Sequence, residues 1–164
     1  MKPLSEVNSV LFVCMGNICR SPAGENVMRA QLEQVGLADV IRCDSAGTAA
    51  YHVGEPPDQR MIATGQRRGY PMTGTARKVT RQDLDDFDLV LAMDDDNYHH
   101  LLNMSGDAPK HDIRRFCEFL THFEDSAVPD PYYGGAAGFD YVIDLLEDGC
   151  AHLITMIRRQ RTAG

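Results

Sequence analysis

The sequence predicts an α/β fold in which a parallel sheet is covered by helices on both faces. Two observations carry that expectation. Short apolar runs alternate with segments of helical spacing along the chain, which is the pattern of βαβ units. The runs SVLFV (Ser9 to Val13) and DLVLAM (Asp88 to Met93) are almost continuously apolar, as strands buried on both faces must be. In such sheets ligands bind beyond the carboxyl ends of the strands, so the loop leaving the first strand is the first place to look for function.

The elements follow in order. After the first strand, Ser21 and Pro22 read as the cap and first residue of a helix. Ala23, Val27 and Ala30 carry helical spacing toward Val35, and Gly36 ends the run. Val40 to Ala46 reads as the second strand, with Gly47 opening a loop. Pro56, Pro57 and Asp58 start a helix that reaches about Arg68 and stops at Gly69. Asp88 to Met93 is the third strand, and Asp94 or Asp95 caps the helix carrying Tyr98, Leu101 and Leu102. His111 to Arg115 is the fourth strand. A loop rich in Pro, Gly and Tyr follows. The last helix starts near Gly138, with an apolar stripe of Val142, Leu145, Leu146, Cys150, Leu153 and Ile157. Gly149 inside it costs roughly 1 kcal/mol against Ala, so packing must hold it.

A length of 164 residues with 43% hydrophobic content suits one domain over 1–164 with its own core. The net charge of -8 argues against nucleic acid as a partner. It also means that any anion site must be built locally. No run is apolar enough for membrane insertion, and Met1 to Val7 lacks the apolar core of a secretory signal. Five cysteines, an odd number without a C-x-x-C pair, argue against a disulfide scaffold and for a reducing, cytoplasmic setting. Cys43, Cys117 and Cys150 read as small buried hydrophobes.

The segment Cys14-Met15-Gly16-Asn17-Ile18-Cys19-Arg20-Ser21-Pro22 runs from a strand end to a helix start. Cleavage of a phosphate ester by a thiolate needs a cradle of backbone N–H groups, and a strand-to-helix loop supplies one. Gly16 and Asn17 tolerate the positive φ of a curled loop. The helix N-terminus and Arg20 favour the thiolate at Cys14. Arg20 presents a planar fork to two phosphoryl oxygens. The Ser21 hydroxyl can donate to the thiolate as it departs. The ester oxygen needs a general acid, and Asp130-Pro131-Tyr132-Tyr133-Gly134-Gly135 offers one. Pro131 holds Asp130 extended, and the two tyrosines can wall a slot for an aromatic ring.

These two segments resemble those of the low-molecular-weight protein tyrosine phosphatases. CMGNICRSP fits the family loop residue by residue, Asp130 matches the acid of the family's Asp-Pro-Tyr loop, and DSAGTAAYHVGEPPDQR looks like its second segment. The resemblance covers nearly the whole chain. It implies a four-stranded parallel sheet in order 2-1-3-4 and no metal or cofactor. It implies Cys14 as nucleophile, Arg20 as phosphate binder and Asp130 as acid and then base. Met15, Gly16, Ile18 and Cys19 would complete the phosphate loop, Asn17 and Ser45 would brace it, Tyr51 would be an aromatic wall, and Asp94 a structural residue nearby. Cys19 would be a reversible disulfide partner for Cys14. Phosphotyrosine proteins would be the partners, a tyrosine kinase among them, with the protein a monomer or a weak dimer through Tyr132 and Tyr133. One departure is Gly74, where many members have His, so a bracing network that is shorter or filled by water is expected.

Three alternatives compete. An arsenate reductase of this loop type relays electrons through two further cysteines near the third strand, and Arg77 to Asp107 contains none. A protein-arginine phosphatase of the same family tends to have Thr at the place of Ile18 and Phe at that of Tyr132. An inactive phospho-binding module would not need every catalytic position filled. Asp94, Asp95, Asp96, His99 and His100 could be drawn as a metal site, but a capped, solvated helix start explains them. His52, His111, His122 and His152 show no pattern. Arg158, Arg159 and Arg161 complement a helix dipole.

Overall fold

The fold is organised on β1 (Ser9–Cys14), whose six residues are all buried. The computed structural model describes residues 2–106 and 111–163. β2 (Arg42–Gly47) pairs with one edge of β1 and β3 (Leu89–Ala92) with the other, and β4 (Ile113–Arg115) lies beyond β3. Every pair is parallel, in the order β2-β1-β3-β4. Fold class and strand order are those expected.

Alternate residues of a strand point to opposite faces, and β1 shows it directly. Val10 and Phe12 join one apolar cluster with α1 (Arg20–Gln34), α2 (Gln59–Arg67) and α5 (Ala136–Ala163). Leu11 and Val13 join a second with Leu84 of α3 (Arg81–Asp86) and Leu101 of α4 (Asp95–Ser105). The sheet is thus covered on both faces, and Cys14 emerges at its carboxyl edge.

Several boundaries differ from the sequence expectation. α1 is capped by Cys19, and Ser21 lies in its first turn. β2 starts at Arg42 because the N–H groups of Val40 and Ile41 both bond the Leu37 carbonyl in a turn. β4 keeps only three residues. His111 turns inward instead, with Nδ1 2.7 Å from Ser105 Oγ and Nε2 2.6 Å from Asp85 Oδ1. α5 starts at Ala136, two residues early. α3 escaped the sequence reading altogether. It has one buried apolar residue, Leu84, and is held by a capping box between Thr80 and Asp83. Arg161 does more than meet a helix dipole: it donates to the carbonyls of Ser5 and Val7 and to Asn8 Oδ1. Burial pushes the thiols of Cys43 and Cys117 up to about 12, and Cys150 is fully enclosed, which suits inert packing groups.

Packing does hold Gly149. A Cβ there would stand 2.3 Å from Cζ of Phe116, whose ring meets Phe12 of β1 at 6.2 Å. Gly149→Ala gains helix propensity of about 1 kcal/mol, yet overpacking should dominate. A net loss of about 1–2 kcal/mol in urea unfolding is expected.

Next to Gly149 on α5, Asp148 accepts the N–H groups of residues 121–123 and the Thr121 hydroxyl. Burial works against this carboxylate, but the hydrogen bonds outweigh it and hold its pKa below the usual range. Its stabilisation is therefore present above the unfolded value of about 3.9 and is lost as pH falls through the folded value. Asp148→Asn should lose stability at neutral pH and show a shallower decline than wild type on acidification, measured by thermal unfolding.

Candidate active site

β1 delivers Cys14 to the sheet edge, and the chain curls through residues 15–19 before entering α1. The carbonyls of Cys14, Met15 and Ile18 accept the N–H groups of Thr48, Ala49 and Asp58 at 2.8–2.9 Å. Among the described residues, no protein acceptor meets the N–H groups of residues 15–19. The loop therefore presents a concave row of donors beside a helix N-terminus, which is an anion cradle.

Asn17 is the one described non-glycine residue with positive φ, at 58°. Gly16 has no such conformation. Its small size matters instead, since a Cβ there would lie 3.1 Å from His52 Cδ2. The Asn17 side chain fixes the curl. Nδ2 donates to Ser21 Oγ at 2.8 Å and to Ser45 Oγ at 3.0 Å, while Oδ1 accepts the Arg77 N–H at 2.9 Å. The Ser45 hydroxyl then donates to Glu25 Oε1 at 2.7 Å, and Arg29 donates to Glu25 Oε2 at 2.6 Å. At the other end, Ser21 Oγ lies 3.0 Å from Cys14 Sγ. Ser21 accepts from Asn17, and against a thiolate it must be the donor. Its hydroxyl is thus committed to the loop, and this is why it cannot cap α1.

Arg20 is buried, with 3% of its surface exposed. Its Nη1 donates to Asp94 Oδ2 at 2.7 Å and to the Val128 carbonyl at 3.0 Å, and its Nη2 lies 3.8 Å from Asp130 Oδ2. Asp94 divides its oxygens: Oδ1 caps α4 through the Asn97 N–H. Burial works against the guanidinium charge, but Cys14, Asp94 and Asp130 outweigh it, so Arg20 stays protonated. Cys19 behaves in the opposite way. Burial, reinforced by Asp58, pushes its thiol far above the ordinary range.

Cys14, Met15, Gly16, Ile18, Cys19, Arg20, Tyr51, Asp130, Tyr132 and Tyr133 line one cleft. Asn17, Ser21, Ser45 and Asp94 stand behind it. Asp130 Oδ1 accepts the Tyr132 N–H at 3.0 Å. Tyr51 and Tyr133 are 78% and 89% exposed, so they form a rim rather than a closed slot.

The sequence reading missed three contributors. His52 lines the cleft, with Nδ1 2.7 Å from Glu55 Oε2. Glu25 and Arg29 complete the brace. Their i,i+4 spacing on α1, with the glutamate among apolar neighbours, was a legible signal. Gly74 sits at φ 122° with open space around it, and the Glu25 carboxylate is held from within α1 by Arg29. In the Asp94 to His100 segment Asp94 binds Arg20 and caps α4, and Asp95 pairs with Arg115.

Asn17→Gly keeps the backbone conformation and removes three hydrogen bonds. It should weaken binding of inorganic phosphate by about tenfold in calorimetry. Asn17→Ala should lose more, because the left-handed φ then costs about 1 kcal/mol in addition.

Comparison with known proteins is consistent with this geometry. The sequence profile described as low molecular weight phosphotyrosine protein phosphatase matches residues 9–163. A putative low molecular weight protein-tyrosine-phosphatase of Synechocystis, slr0328, is 51% identical over 92% of this chain and 97% of its own. The Bacillus subtilis low molecular weight protein-tyrosine-phosphatase YfkJ is 40% identical over 93% of this chain and 97% of its own. A protein tyrosine phosphatase from Entamoeba histolytica, solved with Hepes in its active site, superposes with a TM-score of 0.90 at 44% identity, covering 93% of this chain and 98% of that one. Matched across nearly its whole length in profile, sequence and fold, the chain belongs to the low molecular weight phosphotyrosine protein phosphatase family.

Proposed function

We propose that the protein is a cytoplasmic phosphotyrosine phosphatase, one domain that works through a phosphocysteine on Cys14. The observation that carries this is a single cleft where a thiol, a buried guanidinium, a carboxyl group and a row of unbonded N–H groups converge. In the first step Cys14 Sγ bonds to phosphorus while the bond from phosphorus to the tyrosyl oxygen breaks. The leaving electron pair stays on that oxygen, which takes a proton from Asp130. Arg20 and the loop N–H groups carry the charge of the equatorial oxygens. In the second step Asp130 takes a proton from water, whose oxygen bonds to phosphorus. The S–P bond breaks, and the Ser21 hydroxyl stabilises the departing thiolate.

Phosphotyrosine proteins are the substrates this cleft fits best. Tyr132 offers an aromatic face with Tyr51 and Tyr133 at the rim, and Ile18 adds bulk beside the loop, which favours an aryl ester over phosphoarginine. A steady-state assay with EDTA present tests this, using p-nitrophenyl phosphate, a phosphotyrosine peptide and phosphoarginine. Wild type should hydrolyse both aryl esters, and Cys14→Ser should lose at least about 10³-fold. Activity on phosphoarginine alone would instead favour the arginine phosphatase. No activity at all would favour a binding module.

Cys19 enters as a protecting partner. On oxidation by peroxide, the Cys14 sulfenic acid condenses with the Cys19 thiol, releasing water and forming a disulfide that a thiol reductant reopens. Activity of wild type should return on reduction after a peroxide pulse, and that recovery should be lost in Cys19→Ser; equal recovery in both would refute the protective role.

A further inference from the structure

Tyr132 does more than wall the cleft. Its N–H holds Asp130 Oδ1, so the carboxyl group is oriented through this residue. Its ring has a neighbour on α2, the Arg60 guanidinium at 5.3 Å from the centroid, and another in His52, tilted against it at 6.1 Å. The same guanidinium stands 4.8 Å from the ring of Phe139, which is buried in α5 just past the loop. Arg60 is fixed in turn by Asp58, which accepts its Nε at 3.1 Å and its Nη2 at 3.0 Å. The Asp58 N–H donates to the Ile18 carbonyl at 2.8 Å. A continuous path therefore joins the two halves of the site, running from the phosphate loop through Asp58, Arg60 and Tyr132 to Asp130.

We infer that Arg60 is a positioning residue for the acid, holding the Tyr132 ring so that the carboxyl of Asp130 stands over the cleft. The inference rests on the reading of Asp130 as the acid. Its physical basis is geometric. A guanidinium has a flat face that can meet two aromatic rings at once while its edge is bound by a carboxylate. Tyr132 is partly exposed, and its ring has other rotamers available once that face is gone. A displaced ring shifts its own N–H and the carboxyl bonded to it, and small misplacements of a reacting group are costly in rate.

Leaving-group dependence tests it. Phenolate resembles the tyrosyl oxygen, with a conjugate-acid pKa of about 10, and needs a proton to depart. The weakly basic p-nitrophenolate leaves without one. Arg60→Met should lower kcat/KM on phenyl phosphate by about three- to fivefold and on p-nitrophenyl phosphate by less than about twofold. Arg60→Lys keeps the cation without the planar face and should fall between, and it carries the comparison should Arg60→Met fail to fold. Asp130→Asn should lower the ratio of the two values further, and adding Arg60→Met to it should not lower that ratio again. Equal losses on both esters in the Arg60 variants, with the ratio still falling in Asp130→Asn, would overturn the inference and leave Asp130 as the acid. An unchanged ratio in Asp130→Asn would remove the acid and the inference with it.

Discussion

An anion cradle of backbone N–H groups cannot hold its own shape, because the donors that would normally form turns must stay unbonded. That constraint governs the site. The curl of residues 15–19 is imposed from outside, by N–H groups of residues 48, 49 and 58 on its carbonyls and by the Asn17 amide within it. The Asn17 side chain ties the loop to Ser21 of α1, Ser45 of β2 and the backbone of Arg77. Its left-handed backbone is tolerable because the short amide reaches partners that a longer or apolar side chain would miss. Gly47 belongs to the same constraint: a Cβ there would stand 2.6 Å from the Met15 carbonyl.

The second demand is electrostatic. In a protein of net charge -8, a cleft that takes an anion needs its positive charge supplied locally. The buried cation at the cleft is Arg20, enclosed at 3% exposure and held by carboxylates. Asp94 and the Val128 carbonyl hold Nη1, and Asp130 stands farther off at 3.8 Å. Asp94 couples this guanidinium to α4 by capping the helix with its other oxygen, so helix and guanidinium are placed by a single carboxylate. Buried charge held in place in this way need not reorganise during reaction, which is the source of most catalytic stabilisation of this kind.

The sheet and the phosphate loop were legible in the sequence because their signals are dense. Continuous apolar runs mark β1 and β3, and Cys14 to Pro22 packs thiol, cation and turn residues into nine positions. The same density misled at Ser21. Ser followed by Pro is a good helix start, but the hydroxyl is claimed by Cys14 and Asn17, and the cap moves to Cys19. α3 was invisible because Leu84 is its sole buried apolar side chain, although the Thr80 and Asp83 pair could have marked it. Gly16 was read as a conformational glycine, whereas what it avoids is His52, a contact between segments far apart in sequence. His52 itself carries no spacing pattern. Its place at the cleft comes from the path of the loop after β2.

The contrast between the brace and the rim has a consequence for how such a protein can diversify. The loop is braced by an interlocked chain, from half-exposed Arg29 through the buried Glu25, Ser45 and Asn17 to Ser21, where a change at one position leaves another unpaired. Tyr51 and Tyr133 stand in solvent and have little to unpair. Substitutions at the rim therefore cost the fold little while changing the surface that meets whatever enters the cleft, and the brace behind it is inherited intact.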